Sequence, residues 1–260
     1  MRARSLFRTY LVLGLALPAA GVLALIAGTI GYAGLERPLR ALGGYGALDA
    51  VVLSLSTATL AALAGLVLAI PAAYALSRWS FPGSRLIDIL IDLPVVLSPI
   101  AIGMMVLFFF QAGPGTWLQE HLVRFVFEVP GIVLAQVVIV TSLQIRVLKT
   151  AFDEIPERME TVARFLGCGP WTAFWRVSLP LARPGLVCAL ILGWARAIGE
   201  YGATVTVAGA IRGKTETIPT AIVLNWNAVR LEAAIGLVLL LVGIAFLVLL
   251  AVRRIGGALR

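Results

Sequence analysis

Few residues in this chain combine a reactive type with a useful spacing. Arg196 and Glu200 stand four apart in an otherwise apolar run, so a helix sets them on one face. A charge pair at membrane depth either fixes helix packing or lines a polar path. It makes a poor tight anion site, because Glu200 neutralises Arg196 and repels a dianion. Thr204 and Thr206, further along the run, are neutral hydroxyl donors for such a path or ordinary packing residues. Gly209 to Thr215 reads like the end of a phosphate-binding loop, but the pattern needs glycine where the chain has Ala208. ATP is therefore not expected on this chain. Cys168 and Cys188 give neither a disulfide framework nor metal-ligand spacing. With His121 as the single histidine, no metal centre and no Cys–His nucleophile is expected.

The elements that position these groups are membrane helices. The 260 residues are 60% hydrophobic and 13% charged, about half the charge of a soluble domain. Crossing a bilayer takes about 20 mostly apolar residues. Six spans are expected: 11–32, 53–76, 89–110, 130–148, 184–208 and 233–252. The first follows Arg2, Arg4 and Arg8 in the manner of a signal peptide, but its apolar run is too long for one, so a retained helix is expected. Pro94 and Pro99 are expected to disrupt or kink the third span. Gly193, Gly199, Gly202 and Gly209 permit close helix approach or a broken helix around the fifth. Trp117, in the loop after the third span, suits the headgroup level.

The basic residues orient the chain. With the N-terminus inside, the inner segments hold 14 Lys and Arg residues, among them Arg78, Arg85, Arg146, Lys149, Arg158, Arg164, Arg176 and Arg183. The outer segments hold 6: Arg37, Arg40, Arg124, Arg212, Lys214 and Arg230. The bias puts both termini in the cytoplasm. The +8 net charge follows this distribution and does not imply nucleic acid.

The longest polar interruption, about 149–183, falls inside. Pro156 and Glu157 mark a helix start. Met159, Val162, Ala163 and Leu166 share one face, and Gly167 ends the helix. Pro170 restarts a second helix that carries Trp171, Phe174 and Trp175, and Pro180 stops it. Such a hairpin either docks in a partner's groove or lies on the lipid surface.

This segment resembles the cytoplasmic EAA loop of ABC-importer permeases. The family pattern is Glu-Ala-Ala, three residues, Gly, nine residues, Ile, one residue, Leu-Pro. Here Thr161-Val162-Ala163, Gly167, Val177 and Leu179-Pro180 keep the spacing, with Glu160 one place ahead of the missing motif carboxylate. Ala195 to Ala203 looks like the permeases of molybdate, tungstate and sulfate importers. Arg212 to Ile222 and Arg78 to Pro99 continue in the manner of the molybdate/tungstate branch.

The resemblance implies an all-α integral membrane fold of the type I importer kind, a single permease domain over 1–260, in a prokaryotic inner membrane. It implies a non-catalytic subunit that works as a homodimer. Two ATP-binding cassette subunits would carry the ATP and Mg, and an extracytoplasmic oxyanion-binding protein would deliver cargo. The residues expected to meet the ATPase are Glu160, Ala163, Gly167, Pro170, Trp171, Phe174, Leu179 and Pro180. Arg196, Glu200, Thr204 and Thr206 are candidates for the path. Arg212 and Lys214 are candidates for contact with the binding protein, or ordinary exposed charges.

Overall fold

The computed structural model describes residues 2–34, 36–45 and 47–257, and these are helices and short connections. In the charge tally, the side chains of Arg2, Arg4, Arg253 and Arg254, and the whole of Arg260, lie outside the described residues.

The architecture is built on α3, Ala47–Arg78, with α7, Val129–Asp153, and α11, Arg183–Ile198, packed along it. At about 1.5 Å per residue, the 32 residues of α3 form a rod of roughly 48 Å. Its inward face is small: Ala58, Ala61, Ala62, Ala69 and Ala73 are fully buried. Small faces let backbones approach, which is how helices associate where water drives nothing. Gln144 of α7 fills the closest crossing, and its Nε2 donates to the Ala62 carbonyl at 2.9 Å. A Cβ at Gly65 would lie 2.4 Å from Gln144 Oε1, and one at Gly193 of α11 2.3 Å from Nε2. One polar side chain thus joins three helices.

Among the described residues, four helices are long and apolar enough to cross a bilayer: Tyr10–Ala33 of α1 (Arg2–Ala33), α3, α7, and Leu231–Leu250 of α14 (Leu231–Gly257). The count rises to as many as six if each of two sharply bent pairs, Ser84–Val96 with Pro99–Gln111 and Pro170–Leu181 with Arg183–Ile198, is one span. The expected third span, 89–110, is not one kinked helix. It divides into α4, Ser84–Val96, and α5, Pro99–Gln111, which meet at 113°. Pro94 is tolerated inside α4, and the turn comes at Leu97-Ser98. Ser98 caps α5 by accepting the Ala101 amide at 3.2 Å, and Pro99 takes the first helical turn. The expected fifth span, 184–208, is also interrupted. Between α11 and α12, Gly202–Ala208, the chain leaves the helix at Gly199–Tyr201.

Three shorter helices were not expected. They are α2 (Glu36–Tyr45), α6 (Gly113–His121) and α13 (Ile218–Asn227). They fall in connections where helical periodicity is too short to distinguish from a loop. α2 docks on α14 at Gly236, where a Cβ would meet the Pro38 carbonyl at 2.7 Å. α13 begins with a capping box between Thr217 and Thr220, and its Ile218 amide donates to Ser54 of α3 at 2.7 Å. α3 therefore carries α13 at its first turns and the 149–183 segment at its last.

Candidate functional site

α8, Glu157–Phe165, opens after Pro156 with Glu157 and Glu160 in its first turn, where carboxylates suit the helix dipole. It closes in a Schellman turn. Gly167 adopts φ +92°, the Cys168 amide donates to Ala163 O at 3.1 Å, and the Gly167 amide to Arg164 O at 3.0 Å. Pro170 then starts α9, Pro170–Ala173. The chain continues through a π-helical turn, Phe174–Ser178, into α10, Leu179–Leu181. Pro180 does not stop the helix as expected. It sits in the first turn of α10, where the wide turn ahead of it absorbs its missing amide donor.

Glu160 is the centre of this region. Its carboxylate accepts from Tyr74 Oη at 2.7 Å, Arg78 Nε at 2.9 Å and Ser178 Oγ at 2.7 Å. Two donors come from the last turns of α3 and the third from the π turn. Arg78 and Glu160 form an ion pair with side chains only 7% and 14% exposed. Arg78 also donates to the Ile155 carbonyl at 2.9 Å. Burial pushes the Glu160 carboxyl up. Hydrogen bonds from Ser178, Tyr74 and Arg78, with the guanidinium charge, outweigh it and hold the carboxyl below its ordinary value. Glu160 therefore faces inward. Thr161, at the motif position, is exposed and donates back to Glu157 O at 3.1 Å.

Apolar side chains divide between the two sides of this clamp. Phe174 is buried with its ring 4.7 Å from Tyr74, edge to face, and Tyr74 meets Phe152 at 5.4 Å. The expected aromatic face of Trp171, Phe174 and Trp175 is thus split, because the π turn rotates Phe174 inward and leaves both tryptophans outside. The shared apolar face of α8 is not packed inward either. Met159, Val162 and Leu166 are exposed, Ala163 is half-buried, and Glu160 does the bracing. What points outward is an apolar corner: Phe165 is 86% exposed, Leu166 81% and Trp171 73%. Arg158, Arg164 and Arg176 of the same segment are also exposed. A cavity of about 530 Å³ separates Trp171 from Arg78 and Trp79. Nearby, Arg146 holds α4 through Asp88 and Asp92, and Ser77 donates to Asp153 at 2.6 Å.

The path candidates meet at the break after α11. Glu200 is buried, pairs with Arg196, and accepts the Ala203 amide at 3.0 Å, so its carboxylate caps α12. Thr204 is fully buried, and its hydroxyl has no protein partner. The Thr206 hydroxyl donates to Gly202 O at 2.7 Å, and its Cβ would lie 2.8 Å from a Cβ at Gly103 of α5. Lys214 pairs with Glu128, at the end of the molecule away from Glu160. Arg212 lines a cavity of about 820 Å³ with Arg37 and Arg230.

Residue types alone did not single out Tyr74, Ser178 or Gln144 as parts of these sites. Arg78 and Glu160 are 82 residues apart, and no local period connects them. A usable signal existed for the buried amides, since Gln136 and Gln144 are polar residues eight apart on one face of an apolar run.

The sequence profile of binding-protein-dependent transport system inner membrane components matches residues 62–260. The molybdenum transport system permease protein ModB of Escherichia coli (strain K12) is 38% identical over 178 residues, 66% of this chain and 77% of that protein. The sulfate transport system permease protein CysW of Synechocystis sp. is 33% identical over 244 residues, 92% of this chain and 87% of that one. A probable molybdenum ABC transporter permease protein of Haloferax volcanii is 39% identical over 210 residues, 80% and 76% of the two chains. Among solved structures, a bacterial ABC transporter involved in the import of alginate superposes with TM-score 0.76 at 15% identity over 98% of both chains. The MetNI methionine ABC transporter superposes with TM-score 0.64 at 16% identity, over 82% of this chain and 95% of that one. At those identities the two structures speak to the fold. The chain belongs to the family of binding-protein-dependent transport system inner membrane components, as an ABC-importer permease subunit of the ModB and CysW type.

Proposed function

We propose that this chain forms the translocation path of an ATP-driven importer for a tetrahedral oxyanion, with molybdate or tungstate as cargo and sulfate or thiosulfate as the alternative. The observation that carries the coupling role is the exposed corner of Phe165, Leu166 and Trp171, clamped to α3 through Glu160. An apolar knob this exposed at the end of a rigid helix suits insertion into a partner's cleft. The partner is the ATP-binding cassette subunit, present twice and holding ATP and Mg, because this chain offers no phosphate loop. Two copies of the chain enclose the path, with both termini in the cytoplasm.

Support for an oxyanion comes from relatives named for molybdenum and for sulfate, at comparable similarity. Arg196 and Glu200 are offered as a lining element of the path, and Arg212 and Lys214 as contacts for an external binding protein. The pairing of Lys214 with Glu128 means that such a contact exchanges one carboxylate for another.

The decisive experiment reconstitutes the chain with its ATPase and binding protein and measures uptake of radiolabelled molybdate, tungstate and sulfate. ATP-dependent uptake of one of them is expected. Rapid downhill anion flux through the purified chain alone would sink the proposal in favour of a channel or secondary transporter. Gly167→Asp should impair association with the ATPase while membrane insertion stays normal, and intact transport in that variant would count against the loop's role.

A further inference from the structure

We infer that Glu160 is the positioning residue that makes the π turn and α3 move as one body, so that motion of the ATPase-docked segment reaches the far end of the permease. The inference rests on the coupling role proposed above.

A chain of short contacts runs from the π turn to α3. Ser178, fully buried, connects the π turn to Glu160 Oε1 at 2.7 Å. Glu160 connects in turn to Tyr74 and Arg78 at 2.7 and 2.9 Å. Arg78 is fixed from a second direction by the Ile155 carbonyl, so it cannot swing with the carboxylate alone. These are charge-assisted bonds between largely covered side chains, the strong kind. α3 then carries the displacement along its rod. At mid-length, Gln144 ties Ala62 to α7 and sits against Gly193 of α11. Near its start, Ser54 holds the first amide of α13. Each connection is a packed or hydrogen-bonded contact, the kind of contiguous network along which a displacement can pass. Thr161, at the position where the family carries its carboxylate, makes no such bridge. On α8 it is Glu160, one residue earlier, that bridges to α3 and the π turn.

The test reconstitutes the permease with its ATPase subunits and binding protein and reads ATP hydrolysis and molybdate or sulfate uptake in the same vesicles. Glu160→Gln keeps the side-chain shape but only one acceptor oxygen, enough for Tyr74 or for Ser178 and not both, and loses the charge facing Arg78. Its ATPase should copurify as in the wild type, while uptake per ATP falls about tenfold, the equivalent of one lost charged hydrogen bond. Ser178→Ala removes one contact only, and its uptake per ATP should fall about threefold, matching the loss of a neutral bond. It also serves if Glu160→Gln fails to insert. Thr161→Ala should match the wild type. An unchanged ratio in Glu160→Gln or Ser178→Ala overturns the inference, as does a loss of ATPase association that leaves uptake per ATP constant. A wild-type chain that neither binds an ATPase nor takes up anion overturns the coupling role itself, and so the two failures are distinguishable.

Discussion

Two of the Arg–Glu pairs on this scaffold, Arg78–Glu160 and Arg196–Glu200, do different work. Arg78–Glu160 joins residues 82 apart in sequence, both nearly buried, with Tyr74 and Ser178 completing the carboxylate's shell. Arg196–Glu200 is a local i,i+4 pair in which Glu200 is 2% exposed and Arg196 36%. Its carboxylate otherwise binds a neighbouring backbone amide, that of Ala203. The first pair fixes one element against another. The second shapes a helix break from within. Position in the fold, rather than charge type, separates a tie between elements from a cap.

The comparison breaks most visibly at Arg78. Arg78→Ala leaves Glu160 buried without its cation, a loss of about 3–5 kcal/mol for a pair this enclosed. The 149–183 segment should detach from α3 and become susceptible to trypsin at Arg158, Arg164 and Arg176. Limited proteolysis in detergent reads this directly, and wild-type resistance would refute the tie. Glu200→Ala should cost less, about 1–3 kcal/mol, because it strands one buried amide and frees a partly exposed arginine. It should lower the melting temperature while leaving the loop resistant to trypsin. Exposure of the loop in that variant would merge the two pairs into one network and end the distinction.

The legible part of the molecule was whatever repeats locally. Long apolar runs marked α1, α3, α7 and α14, and Gly167 marked the end of α8, since these depend on a few neighbouring residues. The corner at Leu97-Ser98 was half legible. Pro94 and Pro99 both pointed to disruption, but a helix accepts proline in its first turn, so only Pro99 marks a new start. The clamp was illegible in its essentials. Glu160 stood out only as a displaced motif carboxylate, and nothing in sequence showed whether it faced the partner or the protein. Contacts far away in sequence settle that, from Tyr74 and Arg78 of α3 and from Ser178 of the π turn. The π turn carries both Ser178, which reaches the carboxylate, and the inward-facing Phe174, and no propensity forecasts such a turn.

A milder change asks whether the loop is held by the clamp alone or also by its own corner. Gly167 has open space around its Cα, so a methyl group there meets nothing within 4 Å, and only its φ of +92° resists substitution. Gly167→Ala should therefore cost about 1 kcal/mol, the penalty for a left-handed L-residue. Gly167→Asn should cost less. Hydrogen exchange of the Gly167 and Cys168 amides, which close the Schellman turn, should quicken while the trypsin resistance set by Arg78 persists. A loop that came free in Gly167→Ala would shift the credit from the clamp to the corner.

The smallest effect is one of pH, and its sign follows from Glu160. Its carboxyl titrates below the ordinary value of 4.5 in the folded protein. A group with a depressed folded value contributes stability that is present above the unfolded value and fades as pH falls through the folded one. Trypsin-type assays do not reach that range, but pepsin does. Resistance of the 149–183 segment to pepsin should hold near the ordinary glutamate range and decline below it. Glu160→Gln, which has no proton to take up there, should flatten that part of the profile. The Arg196–Glu200 break gives the internal control, because cleavage in 199–201 should not respond to the Glu160 substitution. A profile unchanged by Glu160→Gln would mean that other carboxylates, Asp153 among them, govern the acid release of the loop.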